Sequence, residues 1–216
     1  MHISSDRYFR DRQRHDLALR MIQHGARTCT IKLCTGLSDD RIRRLHKTLE
    51  DLPMRVHRRR GKSPRQISFF VRTARMQFES SFLASVFAAF GLLKHEGEAP
   101  RELPSIEFGE LFCDAYETHL QLLRRGAVTF EHAWFLLQLL EHQREVKLSR
   151  CRRCQTHYLR DLFNIAQRAC PTCELKTEPS PRTLARHKAL ARQSAAAEMI
   201  KEKQTDKSNA TLGSPR

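Results

Sequence analysis

The sequence predicts a mainly α-helical protein: a helical bundle with a helix-turn-helix-like segment near the N-terminus and a small four-cysteine module near the C-terminus. Three observations predict this fold class. Apolar residues recur at helical spacing through most of the chain before residue 143. A glycine separates two short helical patterns at residue 36, and two Cys-x-x-Cys pairs stand 15 residues apart in CRRCQTHYLRDLFNIAQRACPTC, residues 151–173.

The N-terminal pattern predicts a helix over residues 11–24 that ends at Gly25. A second, short helix then reaches Gly36, where a tight turn needs a residue that tolerates positive φ. Leu37 is expected in the core, and Ser38 is expected to cap a third helix. The inward face of that third helix carries Ile42, Leu45 and Leu49.

The outward face of the third helix is basic, and the layout is that of a helix-turn-helix. Arginines on such a face can contact phosphates or guanine edges, but a solvated charged face has the same pattern, so both interpretations stay open. The candidate DNA-binding residues here are Arg41, Arg43, Arg44 and Lys47.

A basic connection follows over residues 53–66, where two prolines and a glycine interrupt the helical pattern. Between residues 41 and 65 stand ten Lys and Arg against two acidic residues, a net charge of +8 out of +15 for the whole chain. Such a run is compatible with a solvated segment or with an arm that contacts phosphates. Its candidate DNA-binding residues are Arg58, Arg59 and Arg60.

The overall charge favours a polyanionic partner, since the sequence pI is near 10.1. Nucleic acid and an anionic membrane surface are the two candidates. The longest apolar stretch, residues 80–93, is shorter than the roughly 20 residues of a membrane-spanning helix, so we expect no membrane partner. The polar N-terminus is not a secretory leader, and we expect a cytoplasmic protein.

Three further helices are predicted over residues 67–93, 105–125 and 129–142. Their aromatic side chains are typical of a core. No cluster of carboxylates and no Ser- or Cys-His arrangement can be assembled from the sequence, so we expect no enzymatic activity.

The two Cys-x-x-Cys pairs predict one structural zinc ion, because their spacing is that of a tetrathiolate site. A redox Cys-x-x-Cys would stand alone near a strand-helix unit, and two disulfides would need an oxidising compartment. Four thiolates leave zinc no open position for catalysis. The expected ligands are Cys151, Cys154, Cys170 and Cys173.

The zinc-ribbon-like module also carries arginines that we expect to reach DNA from a rigid platform, namely Arg150, Arg152, Arg153 and Arg160, with Arg168 further along. The predicted organisation is a helical DNA- and partner-binding domain over residues 1–145, the zinc module over 146–178, and a basic, partly disordered tail over 179–216.

The ordered set HGARTCTIKLCTGLSDDRIRRLHK, GKSP before an aromatic helix, and EHAWFLLQLLE before CRRC…CPTC resembles the bacterial flagellar transcriptional activator FlhC family. The resemblance covers roughly residues 15–175. It implies a DNA-binding activator subunit that acts in a hetero-oligomer with an FlhD-type partner subunit and recruits RNA polymerase. It also implies one zinc ion held by the four cysteines.

The chain departs from the family pattern in its more basic loop at residues 55–70 and in its long basic tail. Flagellar genes and transfer genes of mobile elements are therefore both open as targets. An RNA-binding zinc-ribbon protein without promoter specificity is the alternative, although the chain has no aromatic-rich strand pattern for stacking bases. A nuclease with a structural zinc is a second rival.

Overall fold

The computed structural model describes residues 3–50, 64–94, 101–123, 126–142, 145–164 and 169–175. The chain up to Glu174 forms one compact unit. Within the described residues the helices are α1 (Ile3–Gln23), α2 (Thr28–Thr35), α3 (Asp39–Glu50), α4 (Ser68–Val71), α5 (Ala74–Ala89), α6 (Ile106–Leu122), α7 (Phe130–His142) and α8 (Pro171–Leu175). Strands β1 (Val146–Arg150) and β2 (His157–Asp161) pair antiparallel between α7 and α8. The mainly helical fold class is thereby confirmed.

Helix α1 begins eight residues earlier than the pattern predicts, at Ile3 and not at residue 11. The side chains of residues 6–10 are exposed, so this part of the helix carries no apolar periodicity that could reveal it. The core side of the helix starts with Leu17 and Ala18, which are fully buried with Met21 and Ile22.

The helix-turn-helix-like segment forms as predicted. The N–H of Gly36 donates to the carbonyl of Lys32 at 2.9 Å, and Gly36 has φ of 68°. A Cβ at this position would also lie 2.9 Å from Cγ of Pro104, so the turn requires glycine for conformation and for space. Leu37 is 2% exposed, and in α3 Ile42 and Leu49 are buried while Leu45 is partly buried against the core.

A buried carboxylate caps α2 from α7. The backbone N–H of Arg27 donates to Oε1 of Glu131 at 2.7 Å, and the hydroxyl of Thr30 donates to Oε2 at 3.2 Å. Glu131 is 3% exposed. Because a helix N-terminus leaves its first N–H groups without intrahelical acceptors, this negative group stabilises the start of α2 and fixes its position on α7.

The single helix predicted over residues 67–93 is two helices in the structure. Thr73 is extended, with φ of −135° and ψ of 153°, and its hydroxyl accepts a hydrogen bond from the N–H of Met76 at 3.1 Å. Thr73 is therefore an N-cap that starts α5 and separates it from α4. The prediction missed the break because apolar residues continue on both sides of this cap.

The centre of the bundle is aromatic, as the sequence predicts. Phe112 of α6 meets Phe130 and Trp134 of α7 edge to face, with ring centroids 5.0 and 5.1 Å apart. Phe87 of α5 lies 5.7 Å from Phe112. These contacts join α5, α6 and α7 into one core.

A buried polar group ties α5 to the start of α7. Glu79 is 4% exposed, and its Oε1 accepts the N–H of Val128 at 2.8 Å. The same oxygen lies 3.7 Å from Nε2 of His119, a fully buried ring. Burial lowers the pKa of His119, which favours the neutral ring. Loss of the carboxylate would leave the N–H of Val128 buried without this acceptor, at a cost of about 1–3 kcal/mol.

An ion-pair cluster holds α1 against α6. Arg20 contacts three carboxylates that lie along one face of α6: Glu110 and Asp114 at 2.5 Å and Glu117 at 2.8 Å. His24 adds a contact of 2.7 Å between its Nε2 and Oε1 of Glu117. The cluster fixes the register of the two helices, since the three acidic residues recur at one-turn intervals.

Acid should weaken this cluster in a defined pH window. Hydrogen bonding to Arg20 holds the pKa of Glu117 at about 2 in the folded protein. An unfolded glutamate has a pKa of about 4.3, so the stabilisation is complete above that pH and is lost as the pH falls toward about 2. Because the carboxylate is 32% exposed, solvent screening reduces the effect. Glu117→Gln should lower stability at neutral pH and flatten its acid dependence, as measured by urea unfolding at a series of pH values.

The matched control is Glu102→Gln, which changes an exposed carboxyl that has no ion pair among the described residues. It should reproduce the acid dependence of the wild-type protein. If Glu117→Gln retained the same acid dependence as the wild type, the cluster would not contribute to stability in this way.

Candidate metal centre and basic surfaces

The four cysteines are brought together by a β-hairpin and a short helix. The β1–β2 ladder ends at the pair Arg150 and His157, and Cys151 directly follows it. The N–H of Cys151 donates to the carbonyl of Thr156, and the N–H of Gln155 donates to the carbonyl of Cys151, both at 2.9 Å. This tight turn carries the first cysteine pair, and Gln155 completes it with φ of 61°. The second pair lies at α8, with Cys170 directly before the helix and Cys173 within it.

The resulting group of sulfurs is compact. All four Sγ atoms lie within 4.8 Å of one another, and the Sγ atoms of Cys154 and Cys170 are 3.5 Å apart. A tetrahedral zinc ion with bonds of about 2.3 Å would hold its sulfurs about 3.8 Å apart. The four thiols can therefore hold a metal ion. His157 is exposed on β2 and is not part of the group.

The surroundings of the sulfurs favour a bound cation. The N–H groups of Cys154 and Cys170 lower the pKa of the Cys151 thiol to about 6, and the Cys170 N–H lies 3.4 Å from that sulfur. In contrast, hydrogen bonding with the neighbouring sulfurs, mainly that of Cys154, raises the pKa of the Cys173 thiol to about 12. Four thiols at this separation cannot all ionise without a compensating positive charge. A divalent metal supplies that charge and deprotonates the ligands.

Two side chains of α5 attach the hairpin to the helical bundle. Nε2 of Gln77 donates to the carbonyl of Leu159 at 2.8 Å, and the N–H of Leu159 donates to Oγ of Ser81 at 2.8 Å. Ser81 in turn donates to the carbonyl of Gln77. The backbone N–H and carbonyl of Leu159 are thus both hydrogen-bonded to α5. The side chains of Val146 and Leu159 lie in the main core. Gln77 and Ser81 could not be identified from the sequence, because no local pattern marks a polar residue whose partner lies about 80 residues away.

The metal-binding turn carries exposed arginines. Arg150, Arg152 and Arg153 are exposed around it, as the sequence analysis expects of a basic platform. Arg160 is half-buried on β2, and its Nε is buried with no hydrogen-bond partner among the described residues. Arg160 is therefore less accessible to a large partner than the other three.

The basic face of α3 is exposed but not uniform. Arg41 pairs with Asp11 of α1 at 2.8 Å, and Arg43 pairs with Asp40 at 2.9 Å. No described carboxylate pairs with Arg44 or Lys47. The structure thus divides the four predicted residues into two that pair with a carboxylate and two that pair with none of the described carboxylates.

The predicted DNA-binding residues of the basic connection, Arg58, Arg59 and Arg60, lie outside the described residues, as does Arg168. The described part of the chain contains no helix that combines the length and the apolar character needed to cross a membrane.

Two comparisons with known proteins bear on this arrangement. The family model of the flagellar transcriptional activator FlhC matches residues 4–189. No curated protein matches the chain significantly. The match includes the helix-turn-helix-like segment, the bundle and all four cysteines.

The four-cysteine site should retain about one divalent metal per chain after purification, because four thiolates at tetrahedral separation form a closed, high-affinity site. Cys170→Ser should lose most of this metal, whereas Cys29→Ser, which changes an exposed cysteine outside the group, should keep it. Elemental analysis of the purified proteins measures the content and identifies the metal. Equal metal content in the two variants would contradict a metal held by these sulfurs.

Proposed function

Because the chain belongs to the FlhC family of flagellar transcriptional activators, we propose that it is the DNA-binding subunit of a cytoplasmic activator complex with an FlhD-type partner and that this complex recruits RNA polymerase to promoters. The family is one of transcriptional activators and is not an enzyme family. The observation that carries the DNA-binding part is the basic face of α3, which follows the Gly36 turn and on which Arg44 and Lys47 pair with no carboxylate of the described residues.

In this proposal the metal is one structural zinc ion held by the four cysteines. Tetrathiolate ligation suits zinc, and the turn that carries the first two cysteines is too short to order itself by burying apolar surface. Zinc would fix the turn, and the hydrogen bonds from Gln77 and Ser81 would fix β2 on the bundle. Arg150, Arg152 and Arg153 would then project from a rigid support toward DNA.

The α3 cations contribute unequally in this proposal. A cation that already contacts a carboxylate must give up or share that contact to bind a phosphate, so Arg41 and Arg43 gain less than Arg44 and Lys47. The residues of the basic connection and Arg160 complete the proposed DNA-binding set.

The helical body would dock the partner subunit around residues 69–93 and 130–140. Most of these side chains are buried inside the chain itself, including Phe70, Phe87 and Leu137. A docking face on these helices must therefore use their outer side, where Phe78 remains 53% exposed. We retain the functional division into a helical domain (1–145), a zinc module (146–178) and a basic tail (179–216) as part of the proposal.

Selection of genomic DNA fragments by the purified complex of this chain with its FlhD-type partner tests the proposal. Enrichment of a few sites upstream of promoters would support a sequence-specific activator, and the neighbouring genes would show whether the targets are flagellar or transfer genes. Uniform recovery of all fragments, or stronger binding to single-stranded RNA than to duplex DNA, would contradict it and favour the RNA-binding alternative.

Replacing Arg44 and Lys47 with alanine should weaken binding of the complex to a selected duplex. Each lost phosphate contact should cost roughly fivefold in affinity at about 0.15 M salt and reduce the salt slope by about 0.9. Arg43→Ala should cost less than Arg44→Ala alone, because Asp40 already pairs with Arg43. Fluorescence anisotropy across a salt series measures affinity and salt slope, and equal losses in the two single variants would contradict the role of internal pairing.

A further inference from the structure

Helix α1 has two halves with different surroundings. Its C-terminal half is anchored in the core by Leu17, Ala18, Met21 and Ile22, all fully buried. Most side chains described between residues 6 and 13 are exposed, so this half extends past the core. The sequence analysis assigned no function to the N-terminal half.

One face of α1 changes from apolar to basic along its length. Arg7, Arg10 and Arg14 are spaced three and four residues apart, and continuing that spacing leads to Leu17 and Met21. The arginines therefore lie on the helix face that packs into the core further along. They line a shallow cleft of about 390 Å³ together with Asp6 and Asp11.

Within the part of the chain that the structure describes, no carboxylate pairs with Arg7, Arg10 or Arg14. Asp11 is the acidic residue nearest in sequence to Arg10, and it already contacts Arg41 at 2.8 Å and His15 at 3.8 Å. In contrast, Arg12 on the opposite face pairs with Asp16 at 3.6 Å. The cleft thus concentrates cations that no carboxylate of the described residues neutralises.

The Asp11–Arg41 pair joins this cleft to α3. Arg44 is one turn along α3 from Arg41 and so lies on the same side of that helix. The joined surface contains five arginines (7, 10, 14, 41 and 44) against two aspartates (6 and 11), a net charge of +3. Positive charge therefore continues from the helix-turn-helix-like segment onto α1.

The geometry of the cleft suits a phosphate backbone. Arg7 and Arg14 are seven residues apart, which corresponds to about 10 Å along the helix axis. That is about the rise of three nucleotides of one strand in duplex DNA. Guanidinium groups bind phosphates bidentately, and three of them in a row can follow successive phosphates.

From these observations we propose that Arg7, Arg10 and Arg14 of α1 bind the phosphate backbone of duplex DNA beside the α3 contact. The α1 contact would lengthen the interface without reading bases, because phosphates carry no sequence information. This inference rests on the proposed DNA-binding function. The opposite face of α1 exposes Tyr8 by 68% and Phe9 by 61%, so contact of α1 with a protein partner is the competing outcome.

The test uses the complex of the full chain with its partner subunit and two labelled duplexes of equal length, one selected from the genome and one with a scrambled sequence. The variant is Arg7→Gln/Arg10→Gln/Arg14→Gln, in which glutamine keeps good helix propensity. The matched control is Arg12→Gln, which removes one paired arginine from the opposite face. Thermal unfolding and metal content of each protein check that the fold is retained, and Arg7→Gln/Arg10→Gln serves if the triple variant is unstable.

The triple variant is expected to lose affinity for both duplexes, roughly fivefold for each phosphate contact at about 0.15 M salt. Its salt slope should fall by about 2.7 if all three contacts are lost, and that of Arg12→Gln should stay at the wild-type value. Wild-type affinity and slope in the triple variant would overturn the inference while leaving the proposed function intact. Loss of partner association with unchanged DNA binding of the assembled fraction would also overturn it. Absence of duplex binding by the wild-type complex would overturn both.

Discussion

The arrangement of the molecule depends on the way α5 holds the edge of β2. A two-stranded hairpin has little stability alone, and each of its strands has an edge without a neighbouring strand. Gln77 and Ser81 supply a donor and an acceptor one helical turn apart, and both bond to the backbone of Leu159. The helix therefore replaces the missing strand at one residue. Since Leu159 and Val146 also enter the main core, the hairpin is part of the folded body before any metal is considered.

This attachment clarifies what a metal would add. The pairing of β1 with β2 and the contact of β2 with α5 fix the position of Cys151. The positions of Cys170 and Cys173 depend instead on the segment between β2 and α8. Among the described residues, Tyr158 and Ala169 form a small apolar cluster with the cysteines, too small to hold that segment by burial alone. A metal ion bound to both cysteine pairs would supply the missing restraint. It would order the exposed Arg152 and Arg153 by fixing the turn between the first two ligands.

Much of the fold could be predicted because its signals are local. The cysteine spacing, the Gly36 turn and the amphipathic pattern of α3 each require only a short window of sequence. The break at Thr73 was missed because the apolar residues on both sides continue, and only the backbone conformation shows the cap. Residues whose hydrogen-bond partners are distant in sequence also could not be identified from the sequence. A glutamate such as Glu131 is expected on the exposed side of a helix, whereas in the structure it is buried and accepts a hydrogen bond at the start of α2.

The same distinction applies to the charges. All arginines count equally in the sequence composition. In the structure they differ in the carboxylates that each of them contacts. Arg20 contacts three acidic residues of α6 and so holds α1 in register with that helix. Arg41 contacts Asp11, and this ion pair joins α3 to α1. Arg7, Arg10, Arg14 and Arg44, which pair with no described carboxylate, lie on helices whose packing the paired arginines hold in place. In this chain the paired cations fix how α1 packs against α3 and α6, and the cations without a described carboxylate leave the surface of α1 and α3 positively charged.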